Sequence, residues 1–232
     1  MNQVLGVVRL QLLNVRFGIA VPLAVFGAVL AVNVASFAAN GWGADQELAS
    51  TVMLTLYFTI GAGYMQVATQ TFRFALGMGV TRRAFATAVA VLAVLDALGY
   101  GALLGLLRLV ERATGGWGMQ VGFFRLDQLG ADAGPLAHWL VYAAPIVALA
   151  VAGAFLGAVF ARWGPLGLYS LLIGVVVVLG GTAILITLAD GWPAVTGWVA
   201  AQPPLALGTG YPLALAVPLA AAGWLVLRRA TA

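Results

Sequence analysis

What this chain can fold into is set by its uncharged apolar stretches. Several reach the roughly 20 residues that an α-helix needs to cross about 30 Å of hydrocarbon. They run over about 17–38, 49–71, 84–107, 139–161, 165–189 and 211–227. Only 8% of the residues are charged, against roughly 25% in soluble domains. A water-soluble fold of this length could not cover so much apolar surface, so the solvent around it is lipid. The expectation is an all-α membrane protein: six transmembrane helices over 17–232, preceded by an N-terminal interfacial amphipathic helix over 1–16. Pro22, Pro145 and Pro218 fall inside the spans, where neighbouring helices re-satisfy the carbonyls that proline frees.

Arginine placement predicts the orientation, because cytoplasmic loops carry the excess of basic residues. With the N-terminus inside, Arg9, Arg16, Arg73, Arg82, Arg83, Arg162, Arg228 and Arg229 fall on the cytoplasmic side with no acidic residue. The other side receives Arg108, Arg112 and Arg125 together with Asp45, Glu47, Glu111, Asp127, Asp132 and Asp190. Both termini are then cytoplasmic. Trp42, Trp139, Trp163, Trp192, Trp198 and Tyr211 fall near the expected interfaces and read as headgroup anchors. In residues 2–16, Asn2, Arg9 and Arg16 share one helical stripe and Val4, Val8, Leu12 and Val15 another, the pattern of a helix lying along the inner leaflet.

The segments between spans differ in character. The loop TFRFALGMGVTRRAF, 71–85, is basic and holds Phe72, Phe74 and Phe85 with Gly77 and Gly79. Either Thr81 caps a helix beginning at Arg82, or Phe72–Met78 form a short helix ended by Gly79; both give a compact apolar and cationic projection. Such a loop can also serve topology alone. The segment 108–138 is the longest connection; Arg108 and Glu111 are spaced to pair at i, i+3. The segment 190–210 is apolar for an aqueous loop and has the composition of a short re-entrant or interfacial element.

Few residues carry chemistry. Asp96 is the one acidic residue at membrane depth, which makes it a substrate or proton site or a helix-packing hydrogen bond, to Tyr100 or to a threonine of span two. Thr55, Thr59, Gln66 and Gln70 recur at near-helical spacing and either line a pathway or cement a helix interface. Gly101-x-x-x-Gly105 and Gly153-x-x-x-Gly157 are small-residue packing motifs. The chain has no cysteine and a single histidine, His138, so thiolate and two-histidine metal sites are excluded. All 11 basic residues are arginine, which excludes a lysine-bearing phosphate loop and Schiff-base chemistry. No catalytic set is visible, and no metal ligands or nucleic-acid-binding pattern. Richness in alanine, glycine and arginine points to GC-rich coding and a bacterial source.

LGMGVTRRAF at 76–85 and ERATGGWG at 111–118, within about 50 residues from Phe72, resemble the membrane subunits of bacterial ABC transporters of the ABC-2 type. The plan of an interfacial helix, six spans and a short basic loop after span two is similar across nearly the whole chain; the long segment after span three and the short sixth span depart from it. The resemblance implies a permease, an exporter by direction, that pairs with a second permease subunit as homo- or heterodimer in the bacterial inner membrane. It implies a separate ATP-hydrolysing subunit that holds the ATP and magnesium, with no cofactor in this chain. It makes the loop after span two the coupling element: Phe72, Phe74 and Phe85 as apolar anchors, Arg73, Arg82 and Arg83 as charged contacts, and Gly77, Gly79 and Thr81 shaping the turn. Two other functions fit the residues: a proton-coupled secondary transporter or channel using Asp96, and a membrane scaffold that transports nothing.

Overall fold

A computed structural model describes residues 19–40, 49–126, 129 and 133–229; the expected helix over 1–16 lies outside them. Among the described residues the regular structure is helical and contains no strand. Helix α1 spans Ala20–Asn40 and α2 spans Ala49–Gln66. A π-helical turn, Val67–Thr71, carries α2 into the short α3, Phe72–Gly77. Helix α4 spans Arg82–Ala113, α5 Pro135–Leu188 and α6 Trp192–Ala200. Another π turn, Ala206–Gly210, leads into α7, Tyr211–Leu227. Five helical segments are long and apolar enough to cross a membrane: 20–39, 52–77, 82–113, 135–188 and 206–227. The last is longer than the stretch expected at 211–227, because the π turn adds to α7 a stretch that reads as loop from its two glycines.

The 54 residues of α5 are interrupted at Gly164, whose φ of 68° and ψ of −163° belong to no helix. That region of backbone space is open essentially to glycine alone, and Pro165 follows it directly. The interruption bends the chain sharply. Gly208 packs against Val141, yet in a straight helix Leu188 lies about 70 Å beyond Val141. The chain from Leu188 to Ala206, with α6 inside it, reaches only about 45 Å. Two arms, 135–163 and 165–188, therefore meet at an angle. Their composition matches the two separate stretches expected at 139–161 and 165–189. The second arm is exposed along nearly its whole length from Ile173 to Leu188, which for an apolar helix means a surface toward lipid or another chain.

Helices α2 and the first arm of α5 meet backbone to backbone. A side chain at Gly153 would collide with the carbonyl oxygen of Gly61, and a Cβ at Gly157 would sit 2.6 Å from the carbonyl oxygen of Met65. The Gly153-x-x-x-Gly157 motif is thus the close seam of the bundle. Of the other motif, Gly101 packs against Ala143 and Trp139, whereas Gly105 has open space where a side chain would be.

At one end of the bundle Glu111, 2% exposed, ties the segment after α4 back onto the helix. Its carboxylate accepts hydrogen bonds from the backbone amides of Phe123 (2.7 Å) and Phe124 (3.1 Å) and from the indole of Trp117 (3.0 Å). The expected pairing of Glu111 with Arg108 is replaced by this inward set, because a buried carboxylate needs several donors and the three loop N–H groups surround it. The Tyr142 hydroxyl donates to the Phe124 carbonyl. Phe123 and Phe124 then stack against Phe37 and Phe26 of α1, at 5.6 and 6.1 Å between ring centroids.

Gly153→Ala is expected to lower the detergent melting temperature by several degrees, since overpacking a seam costs about 1–3 kcal/mol. Gly105→Ala, on the same measurement, is expected to be neutral or slightly stabilising. Glu111→Ala, which strands the two buried amides of Phe123 and Phe124 at about 1–3 kcal/mol each, is expected to lower it more than Glu111→Gln, which keeps an acceptor oxygen.

Candidate functional sites in the bundle

Two places in the bundle gather the residues that the sequence singles out. The first is the basic end. Thr81 accepts a hydrogen bond from the Ala84 amide at 3.2 Å and caps α4. Before it, α3 closes at Met78, and Gly79 takes a φ of 80°, where a non-glycine residue is strained. The loop therefore holds both of the local structures its sequence allows: a short helix stopped by Gly79 and a new helix capped by Thr81. Gly77, though helical, has room around it.

The aromatic residues of this loop divide. Phe72 and Phe85 are each 1% exposed and meet edge to face at 5.2 Å, packed with Ala75, Ala158, Ala161 and Leu227. They root the loop in the bundle. Phe74 and Met78 are exposed, as are Arg73 and Arg83. Arg82 turns sideways and donates to the Arg228 carbonyl at 2.6 Å, which fastens the end of α7 to the start of α4. The surface the loop presents is thus Arg73, Phe74, Met78 and Arg83, with Phe72, Phe85 and Arg82 spent on holding it. Met78 belongs to that surface although its place in a Gly-Met-Gly turn reads only as a spacer. Arg162 lies at the same end, stacked over the Trp163 ring at 4.3 Å.

The second place is at membrane depth. The Tyr64 hydroxyl of α2 donates to Oδ2 of Asp96 on α4 at 2.7 Å. Tyr64, and neither Tyr100 nor a threonine of α2, holds the carboxylate. Tyr100, one turn along α4, is 6% exposed, and its hydroxyl finds no hydrogen-bond partner among the described residues. Tyr64 escapes a search for ionisable or amide groups because a tyrosine in an apolar helix reads as bulk; its spacing from Asp96 is tertiary and has no signature in the sequence.

The remaining polar residues of α2 stand apart from Asp96. Thr59 donates to the Thr55 carbonyl at 2.7 Å, a bond within the helix. Thr55, Thr59 and Gln66 fall on one stripe of α2 and Tyr64 on its other side, at 100° per residue. Gln66 and Gln70 are exposed, and the π turn begins between them. An apolar crevice of about 110 Å³ opens between α2, α4, the first arm of α5 and α7. It is lined by Ala68, Val89, Ala93, Ala154, Phe155 and Gly223 among others.

No family model, no characterised protein and no solved structure matches this chain.

The division of the phenylalanines is testable. Phe72→Ala is expected to destabilise the protein by about 3–5 kcal/mol through the cavity it leaves. Phe74→Ala is expected to leave the melting temperature within experimental error, because its ring touches little.

Proposed function

We propose that this chain is the membrane-spanning subunit of an ATP-driven exporter, working with a separate ATP-hydrolysing subunit and a second permease subunit. The observation that carries the reading is the loop after α2. Its roots, Phe72 and Phe85, are locked into the bundle, and its tip offers an exposed aromatic, a methionine and two guanidinium groups. A stiff projection with an apolar and cationic tip is what a mechanical contact with another protein requires: it transmits displacement because its base does not yield. This chain has no lysine and hence no phosphate loop of its own, so the motive force comes from another polypeptide. The likeness of 76–85 and 111–118 to ABC-2 permeases points the same way.

The accompanying topology is six crossings in the bacterial inner membrane with both termini in the cytoplasm. In support, the bend at Gly164 divides α5 into arms of about 43 and 36 Å, each enough to cross the hydrocarbon. Arg73, Arg82, Arg83, Arg162, Arg228 and Arg229 gather at the end where Leu227, Phe72 and Ala161 pack together, and a basic end faces the cytosol. The exposed Gln66 and Gln70 fit a second permease subunit or a water-filled pathway better than lipid. In operation, nucleotide states of the ATPase favour different permease conformations through the loop, and the central path changes the side to which it opens.

The test is whether a phosphate-loop ATPase co-purifies with the tagged chain from cells that carry it natively. Phe74→Glu combined with Arg83→Ala is expected to reduce recovered ATPase at least tenfold while the permease melts normally. Undiminished recovery with the double variant, or no ATPase recovered with the wild type, would overturn the reading.

A further inference from the structure

Asp96 poses a physical problem that its one hydrogen bond does not solve. A carboxylate at membrane depth is costly unless it is paired with a cation, hydrated or neutral. Tyr64 satisfies Oδ2, and none of the described residues donates to Oδ1. The arginines of α4 itself lie at its two ends, Arg82 and Arg83 at one and Arg108 and Arg112 at the other. Asp96 is only half-buried, at the edge of the seam between α2 and α4. Beside it stands the Tyr100 hydroxyl, buried and without a partner. A carboxylate oxygen with room for a donor, an unused tyrosine hydroxyl and two tyrosine rings form one cluster.

The apolar crevice begins one helical turn from this cluster on both helices. On α4, Ala93 lines the crevice and Asp96 is three residues on; in the π turn after α2, Ala68 lines it and Tyr64, in α2, is four residues back. On α4, residues so spaced share a face and are about 5 Å apart along the axis, and Tyr64 reaches that face through its hydrogen bond to Asp96. A carboxyl group and aromatic rings thus stand at the head of an apolar slot lined by alanine, valine and phenylalanine.

We propose that Asp96, Tyr64 and Tyr100 form a binding site for the head of an amphiphilic organic cation, a quaternary or protonated amine or a phosphonium, whose apolar part lies in the crevice toward Gly223. Charge chooses this occupant: a neutral or anionic amphiphile would fit the slot and leave the carboxylate unpaired. Tyrosine faces attract such cations in addition to the carboxylate. The inference rests on the transport reading in one respect only, that the bound cation is then the cargo; binding itself needs no ATPase.

The experiment uses the purified full-length chain in phospholipid nanodiscs, without ATPase, with radiolabelled tetraphenylphosphonium and, separately, octyltrimethylammonium. Both probes are run against octanol and tetraphenylborate as uncharged and anionic competitors. Saturable binding of at least one cation is expected, undisplaced by the competitors. Asp96→Asn, which keeps an acceptor for Tyr64, is expected to weaken it at least tenfold, and Asp96→Glu to retain part of it. Gly223→Leu, which fills the slot, is expected to weaken octyltrimethylammonium at least fivefold while Asp96 is intact. Melting temperatures of the variants within a few degrees of wild type establish that they fold. If neither cation binds saturably, or Asp96→Asn binds as wild type does, the carboxylate is a neutral packing group and the proposal fails. Equal competition by octanol overturns it as well. Cation binding that survives alongside failed ATPase recovery would leave this site standing and remove the exporter reading; the reverse result would do the opposite.

Discussion

The contact on which the rest of the bundle depends is the backbone-to-backbone seam between α2 and the first arm of α5. Lipid is as apolar as a leucine side chain, so burial gives helices no reason to associate within it. What remains is dispersion at close range and the polar contacts that close range permits. Gly61, Gly153 and Gly157 bring the two backbones together. That approach sets where Tyr64 of α2 and Ala68 of the following π turn stand, and so which residues of α4 they meet. The same seam explains why α5 is bent at Gly164. An unbroken helix of that length could pack against α2 or return the chain toward Val141, but could not do both.

The opposite end is secured by different chemistry. There the chain leaves lipid, and loop amides need acceptors. Glu111 supplies them for Phe123, Phe124 and Trp117, which lets two phenylalanines turn inward against α1. Trp117 takes a positive φ, a conformation that costs a bulky residue and persists only when its surroundings enforce it. The hydrogen bond from its indole to Glu111 is that enforcement. The ERATGGWG word is thus a small structural unit in which the acid and the indole are partners, and the glycines between them allow the turn.

The sequence displayed the features that depend on local periodicity. The apolar stretches, the break before Pro165 and the Thr81 cap could all be read from residues within one or two helical turns of each other, where composition and stereochemistry act directly. Hidden were the features decided by which faces of different helices meet. Phe72, Phe74 and Phe85 are alike as letters, yet two are structural and one is exposed, because α4 and α7 cover only one side of the loop. Arg82 and Arg83 are adjacent and identical, yet the end of α7 engages only the first. Glu111 lay within pairing distance of Arg108 along the helix and chose backbone amides 12 and 13 residues away. The π turns at 67–71 and 206–210 left no trace in the letters, since a single extra residue in a helical turn is a response to packing.

The basic loop and the crevice share walls, and this joins the two candidate sites physically. Phe85 and Leu227 belong to the cluster that roots the loop, and both also line the crevice, as does Ala68 just before α3. Close-packed side chains at the base of the loop pass on a displacement of its tip. It reaches the crevice after one layer of residues. The shift has a functional consequence only if the slot holds its occupant more tightly in one loop position than in the other; coupling is that difference in affinity and nothing more. Reciprocity then follows: whatever fills the slot biases the loop by the same free energy. Asp96 lies about 16 Å along α4 from Phe85, one turn past Ala93 at the far end of the crevice.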